Sequence, residues 1–350
     1  MSCRLGWSAA AALWQRPRPE KASGLTSATA TLGGRCPADL GLVGIADNRA
    51  MSPTLSLRHF LLALAVVAVW GTNFVVIKLA LGQMPPLLFA TLRFAVVVLP
   101  TVFFLPRPAL PWRNLAAYGL LIGVGQFGLL FVAMNGHISP GLASLVIQVQ
   151  VFFTIGLAMR LAGERLQRMQ WLALVLASAG IGIIVLHTDG STTLLGLGLI
   201  LLAALSWASG NIVARAAGRV NMVAYVVWSS LFAVPPLAVL SLWLEGWDAV
   251  ALGLRNADGV VWAAVAWQAW GNSLFGYAAW GWLLARYPAA TITPMALLVP
   301  LFGMGAAALW LGEGLPTWKL SAAALVMGGL ALNLLWPKWR HWLRHRAGAT

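Results

Sequence analysis

The chain has 350 residues, of which 60% are hydrophobic and only 9% are charged, whereas a soluble domain carries roughly 25% charged residues. This composition excludes an ordinary soluble protein and indicates an all-α membrane protein that crosses the bilayer several times. The net charge of +14 does not indicate a nucleic-acid partner, because the basic residues lie in short gaps between apolar segments rather than on one solvated face.

Residues 1–54 differ in composition from the rest and are expected to be a disordered leader or a start-site artefact. Met51 stands shortly before the first long apolar segment and offers an alternative start. A targeting peptide is the rival interpretation, but the apolar stretch 9–14 is short for a signal-peptide core. Both cysteines, Cys3 and Cys36, lie in this leader, so neither a disulfide nor a thiolate metal site is predicted in the membrane body, and no cofactor is expected.

Ten apolar segments are long enough to cross the bilayer, since a helical span needs roughly 17 to 25 residues. The pattern therefore predicts ten transmembrane helices, which we number in chain order as spans one to ten. Their predicted ranges are 60–80, 87–105, 114–134, 139–160, 169–187, 194–215, 223–244, 259–285, 289–311 and 318–336.

One sequence pattern occurs twice. Gly163-Glu164-Arg165-Leu166 closes span four, and Gly312-Glu313-Gly314-Leu315 closes span nine about 149 residues later. Each copy contains five spans, and an odd number forces the second copy to enter the membrane upside down relative to the first. We therefore predict a first five-helix repeat over 55–190, an inverted second repeat over 191–340 and a basic cytoplasmic tail over 341–350.

The gaps between spans alternate in charge. By the positive-inside rule the basic gaps are cytoplasmic, which also places both termini in the cytoplasm. The longest opposite gap holds Glu245, Asp248 and Asp258 against Arg255 alone. The basic positions are Arg58, Arg107, Arg113, Arg160, Arg165, Arg168, Arg215, Arg219, Arg286, Lys338, Arg340, Arg344 and Arg346.

Three cations depart from this rule: Lys78 at the outer end of span one, Arg93 inside span two and Lys319 at the start of span ten. Arg93 follows Pro86 by seven residues and lies about 10 Å below the outer surface, at 1.5 Å per helical residue. Its guanidinium must face protein, water or a ligand unless it snorkels. Arg93 either binds a substrate carboxylate or bonds helix-end carbonyls, whereas an interfacial role is the simpler interpretation of Lys78.

Polar side chains recur at the predicted membrane midplane. Trp70 and Trp207 each precede a cation by eight residues and mark spans one and six as repeat mates. Gln148 and Gln150 point about 200° apart on a helix, so at most one of them faces a central cavity. For part of the candidate residues, hydrogen bonding between helices or packing of tryptophan is the alternative interpretation. The candidate substrate-binding residues are Arg93, Asn73, Trp70, Lys78, Gln126, Gln148, Gln150, Trp207, Asn211, Gln268, Trp270 and Asn272.

Glu164 and Glu313 are interpreted as structural, because each lies at a helix end beside a turn. No other acidic residue falls within a predicted span, so a buried proton-carrying carboxylate is not predicted. The inventory of amides, hydroxyls and tryptophans suits a small polar or zwitterionic solute better than a metal ion.

The segments Trp70-Gly71-Thr72-Asn73-Phe74, Leu92-Arg93-Phe94 and Gly163-Glu164-Arg165-Leu166 resemble the EamA-type transporters of the drug/metabolite transporter superfamily. Within that family, residues 141–154 and 206–212 are most similar to the exporters of O-acetylserine and cysteine. The resemblance covers about residues 55 to 340. It implies a carrier of the bacterial inner membrane that exports amino-acid metabolites through a cavity between the two repeats.

The leading hypothesis is therefore export of small amino-acid metabolites by alternating access, with the bilayer and a small solute as partners and a homodimer left open. Efflux of lipophilic cations is a second transport hypothesis, but it favours a buried anionic residue. A membrane-embedded enzyme is the alternative from another class, and no catalytic motif supports it.

Overall fold

The computed structural model describes residues 55–162, 168–187, 192–218, 220–287 and 289–347. The predicted leader and the motif at Glu164 lie outside the described residues. Every regular element in the described ranges is helical, in agreement with the predicted all-α class. Nine helices in these ranges are long and apolar enough to cross a membrane, or ten if the bent pair Trp247–Asn256 and Gly259–Leu283 forms one span.

The first half contains spans one to five. Their helical segments are Leu57–Ala80 in span one; Pro86–Val98 and Thr101–Phe103 in span two; Trp112–Gly119, Leu120–Gly128 and Leu129–Met134 in span three; Pro140–Val146, Ile147–Val149 and Gln150–Ala162 in span four; and Arg168–Leu186 in span five.

The second half contains spans six to ten and one additional helix, Trp247–Asn256, which we call the outer helix. The segments are Leu194–Ala216 in span six; Met222–Ser230, Val234–Leu240 and Ser241–Glu245 in span seven; Gly259–Ala266, Trp267–Phe275 and Gly276–Arg286 in span eight; Ala289–Ile292, Thr293–Leu297 and Leu298–Leu311 in span nine; and Thr317–Ala347 in span ten.

The long acidic gap after span seven contains a helix that the sequence analysis did not predict. Glu245 is the last residue of span seven, and the outer helix fills most of the gap before bending by 101° into span eight. Gly246 allows the turn between span seven and the outer helix, because its φ of 84° is in the left-handed region that glycine adopts without strain. Asp258 begins span eight as its N-cap, since its carboxylate accepts hydrogen bonds from Val260 and Val261 N–H.

Residues 81–85, 135–139 and 312–316 lie at the same end of the bundle, because Ser139 bonds Glu313 and one groove is lined by residues 81–85 together with Asn135. We call this end the outer end, following the charge of the loops, and the opposite end the inner end. The outer helix lines the same groove and therefore also lies at the outer end.

The two halves depart from regular α-helix at corresponding places. Spans three and eight each contain a nine-residue π-helical segment, Leu120–Gly128 and Trp267–Phe275. Spans four and nine each contain a 3₁₀ segment, Ile147–Val149 and Thr293–Leu297. Such segments often mark functional positions, because they shift backbone groups and side chains out of the ordinary helical register.

Two glycines bring the backbones of spans one and nine together and bring the Ser144 side chain of span four against span nine. A Cβ on Gly71 would lie 2.5 Å from Phe302 Cβ and 2.6 Å from the Val299 carbonyl oxygen. A Cβ on Gly303 would lie 2.4 Å from Ser144 Oγ. Only glycine permits this approach, which is the usual means of packing helices in a membrane.

Span four packs differently along its length. Its outer part, Pro140–Val146, packs against Leu298–Leu311 of span nine. Its inner part, Gln150–Ala162, packs instead against span six and makes no comparable contact with residues 289–297 within the described ranges. Spans four and nine are therefore tightly joined at the outer end and separated at the inner end.

Candidate functional site

Arg93 lies between the π-helical segments of spans three and eight. Its side chain is buried, with 1% of its surface exposed. Its Nη2 donates a hydrogen bond to Ser273 Oγ at 3.0 Å, and its Cζ lies 3.5 Å from the centre of the Phe127 ring. Because Ser273 belongs to span eight and Phe127 to span three, one cation from span two contacts both halves at their irregular segments.

Two of the three guanidinium nitrogens have no hydrogen-bond partner. Nε and Nη1 of Arg93 are both buried and unbonded. The salt bridge found in the described part of the chain joins Lys319 and Glu313, so no described carboxylate neutralises Arg93. A buried, unpaired charge is costly. The arrangement is therefore suited to an anionic group that enters and bonds the free nitrogens.

A small cavity adjoins the guanidinium. It has about 10 Å³ of space for the centre of a water molecule, which is room for about one. The Ser229 hydroxyl at its wall is buried and also lacks a partner. A substrate-sized molecule needs a wider space than this contracted cavity offers. The lining residues include Arg93, Tyr118, Phe127, Ser229, Ser273 and Tyr277.

The π-helical segment of span eight is stabilised by side chains that bond its displaced carbonyls. Ser273 Oγ donates to the Gln268 carbonyl at 2.9 Å, and Trp70 Nε1 donates to the Asn272 carbonyl at 3.2 Å. The Trp70 indole lies against Gly276, where a Cβ would approach Nε1 to 2.4 Å. Trp70 therefore connects span one to the segment that carries Ser273.

A second polar cluster connects spans four and six. Asn211 Nδ2 donates to Gln150 Oε1 at 3.0 Å, and Thr154 Oγ1 donates to the same oxygen at 3.2 Å. Gln150 is half-buried at the start of the inner part of span four, and Trp207 is half-buried on the same span as Asn211. Gln150 therefore faces span six and does not line the cavity at Arg93.

The other amides predicted from the sequence are buried, and several lack partners. Asn73 Oδ1, Gln126 Oε1 and both amide atoms of Gln268 have no hydrogen-bond partner, and Gln148 and Asn272 are buried as well. An unsatisfied buried amide is costly unless water or a ligand reaches it. These unbonded amide groups lie inside the bundle, but none of them lines the small cavity at Arg93.

Two candidates lie away from this centre. Lys78 is exposed at the outer end of span one, where an interfacial role suits it. Trp270 is 53% exposed and does not line the cavity at Arg93. It stands two residues from both Gln268 and Asn272, which are buried, and its place on a cavity wall stays a prediction.

Sequence reasoning missed several residues that surround Arg93, among them Tyr118, Phe127, Ser229, Ser273 and Tyr277. Ser273 and Tyr277 follow Gln268 by five and nine residues. An α-helix would bring residues four and eight positions after Gln268 to the same side, so the π-helical segment shifts this side by one residue. Ser229 carried no signal, since it lies in an apolar span as an ordinary small residue. Within the described ranges no cluster of three or more His, Cys, Asp or Glu could hold a metal ion.

These features define a multi-pass membrane protein with a buried cation and polar groups at the contact between its halves. The chain belongs to the EamA-like transporter family, whose sequence model matches residues 57–186 and 194–335. The recognised resemblance is thereby confirmed at the level of the family.

Curated relatives cover most of the chain. A protein of Salmonella typhimurium named "Probable amino-acid metabolite efflux pump" is 42% identical over 80% of this chain and 96% of its own length. A protein of the same name from Escherichia coli K12 is 41% identical over 82% of this chain and 98% of its own. One solved structure matches with a TM-score of 0.56 at 19% identity over 79% of this chain and 96% of that chain, which supports the fold alone.

Proposed function

We propose that the protein exports small amino-acid metabolites across the bacterial inner membrane by alternating access, with the substrate carboxylate bound at Arg93. The observation that carries the proposal is the buried guanidinium, which has two unbonded nitrogens and no described carboxylate partner. A carboxylate is the smallest common metabolite group that pairs with two nitrogens of a guanidinium at once. The efflux-pump names of the two bacterial relatives support the same substrate class.

The size and polarity of the site support a small zwitterion. The contracted cavity is bordered by the hydroxyls of Ser229 and Ser273 and by Tyr118 and Tyr277, which offer neutral hydrogen bonds. The buried positive charge of Arg93 opposes lipophilic cations, since like charges repel strongly where water is absent. Amino-acid export is therefore favoured over cation efflux. O-acetylserine and cysteine are the specific substrates that we propose.

The alternating-access part of the proposal rests on the relation between the halves. Matching π-helical segments in spans three and eight, and matching 3₁₀ segments in spans four and nine, support two inverted repeats over 55–190 and 191–340. Spans four and nine meet at the outer end and separate at the inner end, which supports an inward-facing state. Rocking of the halves about the site at Arg93 would open the outer end and close the inner end.

The test uses inside-out membrane vesicles and a panel of labelled amino acids, O-acetylserine and organic cations. We expect uptake of O-acetylserine or cysteine, and loss of about 90% or more of it in Arg93→Gln, because a charge-assisted hydrogen bond contributes about 1.5 to 3 kcal/mol. Arg255→Gln is the matched control, since it removes an exposed arginine of the outer helix that does not line the cavity.

Equal uptake by the Arg93→Gln variant and the parent would remove Arg93 from the site. Uptake of organic cations without amino acids would overturn the substrate class. Comparable amounts of inserted protein in all variants are required, and are measured by fluorescence-detected gel filtration.

A further inference from the structure

The carboxylates of the second half are concentrated on contacts with the first half. Four acidic residues fall in the described ranges: Glu245, Asp248, Asp258 and Glu313. Three of them bond residues of the first half at the outer end, and Asp248 is exposed on the outer helix.

Glu245 caps span two from the other half of the molecule. Its two carboxylate oxygens accept hydrogen bonds from Leu87 N–H at 2.6 Å and Leu88 N–H at 3.1 Å. Pro85 at the N-cap position provides no side-chain bond, so these first-turn N–H groups depend on Glu245. Ser241 donates to the same carboxylate at 2.6 Å and orients it. The negative charge also suits the positive end of the helix dipole.

Glu313 makes the equivalent contact with span four. It accepts hydrogen bonds from Gly141 N–H at 3.0 Å and from Ser139 Oγ at 2.5 Å. Ser139 occupies the N-cap position but forms no cap bond itself, and its hydroxyl is used for Glu313 instead. Lys319 completes the arrangement through a salt bridge of 2.9 Å with Glu313. The departure of Lys319 from the positive-inside rule thereby has a structural reason.

A third contact strengthens the same end. Gln83 Nε2 donates to Asp258 Oδ2 at 2.9 Å, and Asp258 N–H donates back to Gln83 Oε1 at 3.4 Å. The hydrogen bond from Gln83, together with those from Val260 and Val261 N–H, holds the pKa of the Asp258 carboxyl below its ordinary value. The loop before span two is therefore tied to the start of span eight.

The inner end is joined differently. His59 Nδ1 and Tyr287 Oη lie 2.5 Å apart, and Asn114 Nδ2 donates to the Val213 carbonyl at 3.1 Å. These contacts between the halves use no carboxylate. The carboxylate bonds between the halves are thus found at the outer end in the described part of the chain, and bonds to a charged group are roughly twice as strong as neutral ones.

We infer that Glu245 and Glu313 form an outer gate, in which each carboxylate of the second half caps a span of the first half and holds the carrier closed to the outside. The inference rests on the proposed alternating access and adds the residues that set its resting state. Hydrogen bonds to a carboxylate are lost over a small separation and replaced by water, so the gate stabilises the closed outer end without preventing its opening. In the proposed cycle, closure of the outer end leaves the inner end as the side from which a substrate enters.

The test measures opening of the outer end directly. In a chain with Cys3→Ser and Cys36→Ser, Ser144→Cys places a thiol at a fully buried position where span four meets Gly303. Intact cells are treated with a membrane-impermeant maleimide. We expect labelling to be at least threefold faster in Glu313→Gln and in Glu245→Gln, which keep the size of the side chain and remove its charge. Asp248→Asn is the matched control and should leave the rate unchanged.

Unchanged labelling in both glutamate variants, or an equal increase in Asp248→Asn, would overturn the gate. A second measurement is used if the glutamate variants insert poorly. A variant with both Ser139→Cys and Glu313→Cys is prepared, and its two thiols are cross-linked by a short, cleavable bifunctional reagent. Export should stop and return after cleavage, and continued export by the joined protein would overturn the gate as well. The labelling needs no substrate, so a wrong substrate class and a wrong gate give different results.

Discussion

Arg93 combines a buried cation with incomplete bonding. The Phe127 ring at 3.5 Å provides a cation–π contact, and Ser273 provides one hydrogen bond, but neither neutralises the charge. A buried, unpaired charge is compatible with folding and function when a ligand supplies the missing partner. In the proposed cycle the substrate carboxylate is that partner, so binding relieves the cost of burial.

Ser273 provides a test at the scale of one residue. In Ser273→Ala, Arg93 loses its hydrogen bond to the serine hydroxyl, and the Gln268 carbonyl loses a donor. We expect the apparent KM for O-acetylserine uptake to rise about fivefold to tenfold, since a net hydrogen bond contributes about 1 kcal/mol, with the maximal rate retained. Uptake kinetics in vesicles measure both parameters.

Ser209→Ala is the matched control for that variant, because the Ser209 hydroxyl bonds only Leu205 carbonyl of its own helix at 2.9 Å. A fall in the maximal rate without a change in KM would contradict a positioning role for Ser273. A similar change in both serine variants would point to a general effect of the hydroxyl on helix packing.

The irregular segments are the features that matter at the scale of the helices. A π-helical segment inserts an extra residue into the turn, so Gln268, Asn272 and Ser273 are all buried although their spacing of four and five does not fit one α-helical face. Trp70 and Ser273 bond the carbonyls that this segment displaces. The departure from regular helix therefore places the hydroxyl beside Arg93.

Gly303 provides a test of helix packing. A Cβ added there would lie 2.4 Å from Ser144 Oγ and 3.3 Å from the Gly71 carbonyl oxygen, so spans one, four and nine would have to move apart. We expect Gly303→Ala to destabilise the protein by about 1 to 3 kcal/mol, the usual cost of overpacking. Thermal unfolding of the detergent-purified protein would show the loss as a lower Tm.

Gly305→Ala is the control, because a Cβ at Gly305 meets nothing within 4 Å. Replacing a helical glycine at an open position should leave the Tm unchanged or raise it slightly. A Tm of Gly303→Ala equal to that of the parent would show that the three spans adapt without cost.

The orientation of the whole molecule is a prediction from its loop charges. By the positive-inside rule, the basic gaps predict that the inner end lies in the cytoplasm. We expect alkaline phosphatase inserted between Gly136 and His137 to be active, and a phosphatase fused after Thr350 to be inactive while a fluorescent protein fused there is bright. The reverse pattern would assign Glu245 and Glu313 to the cytoplasmic end and contradict an outer gate.

Much of the organisation was predictable because it is local in the sequence. The spans follow from continuous apolar runs, and Gly312 ends span nine with a φ of 63° as a glycine after a helix commonly does. The burial of Arg93 followed from its distance to Pro86 along a helix. The outer helix within the gap after span seven was not predicted, because a helix of ten residues is too short to be recognised as a span.

The candidate site was predictable in its composition and less so in its geometry. Amides, tryptophans and one arginine marked the polar centre, and most of them are buried. Gln150 and Asn211 form a separate cluster, while Trp270 faces outward. Side-chain direction depended on π-helical and 3₁₀ segments, whose formation depends on packing and hydrogen bonds from other spans.

By itself the sequence determined that this protein crosses the membrane repeatedly, that its two halves are related and that a cation lies within the bilayer, because hydropathy, spacing and charge act along the chain. Only the tertiary structure decided that Phe127 and Ser273 surround Arg93, and that Glu245 and Glu313 cap spans two and four. Those contacts join residues more than 30 positions apart. They depend on how the helices pack, which no local pattern specifies.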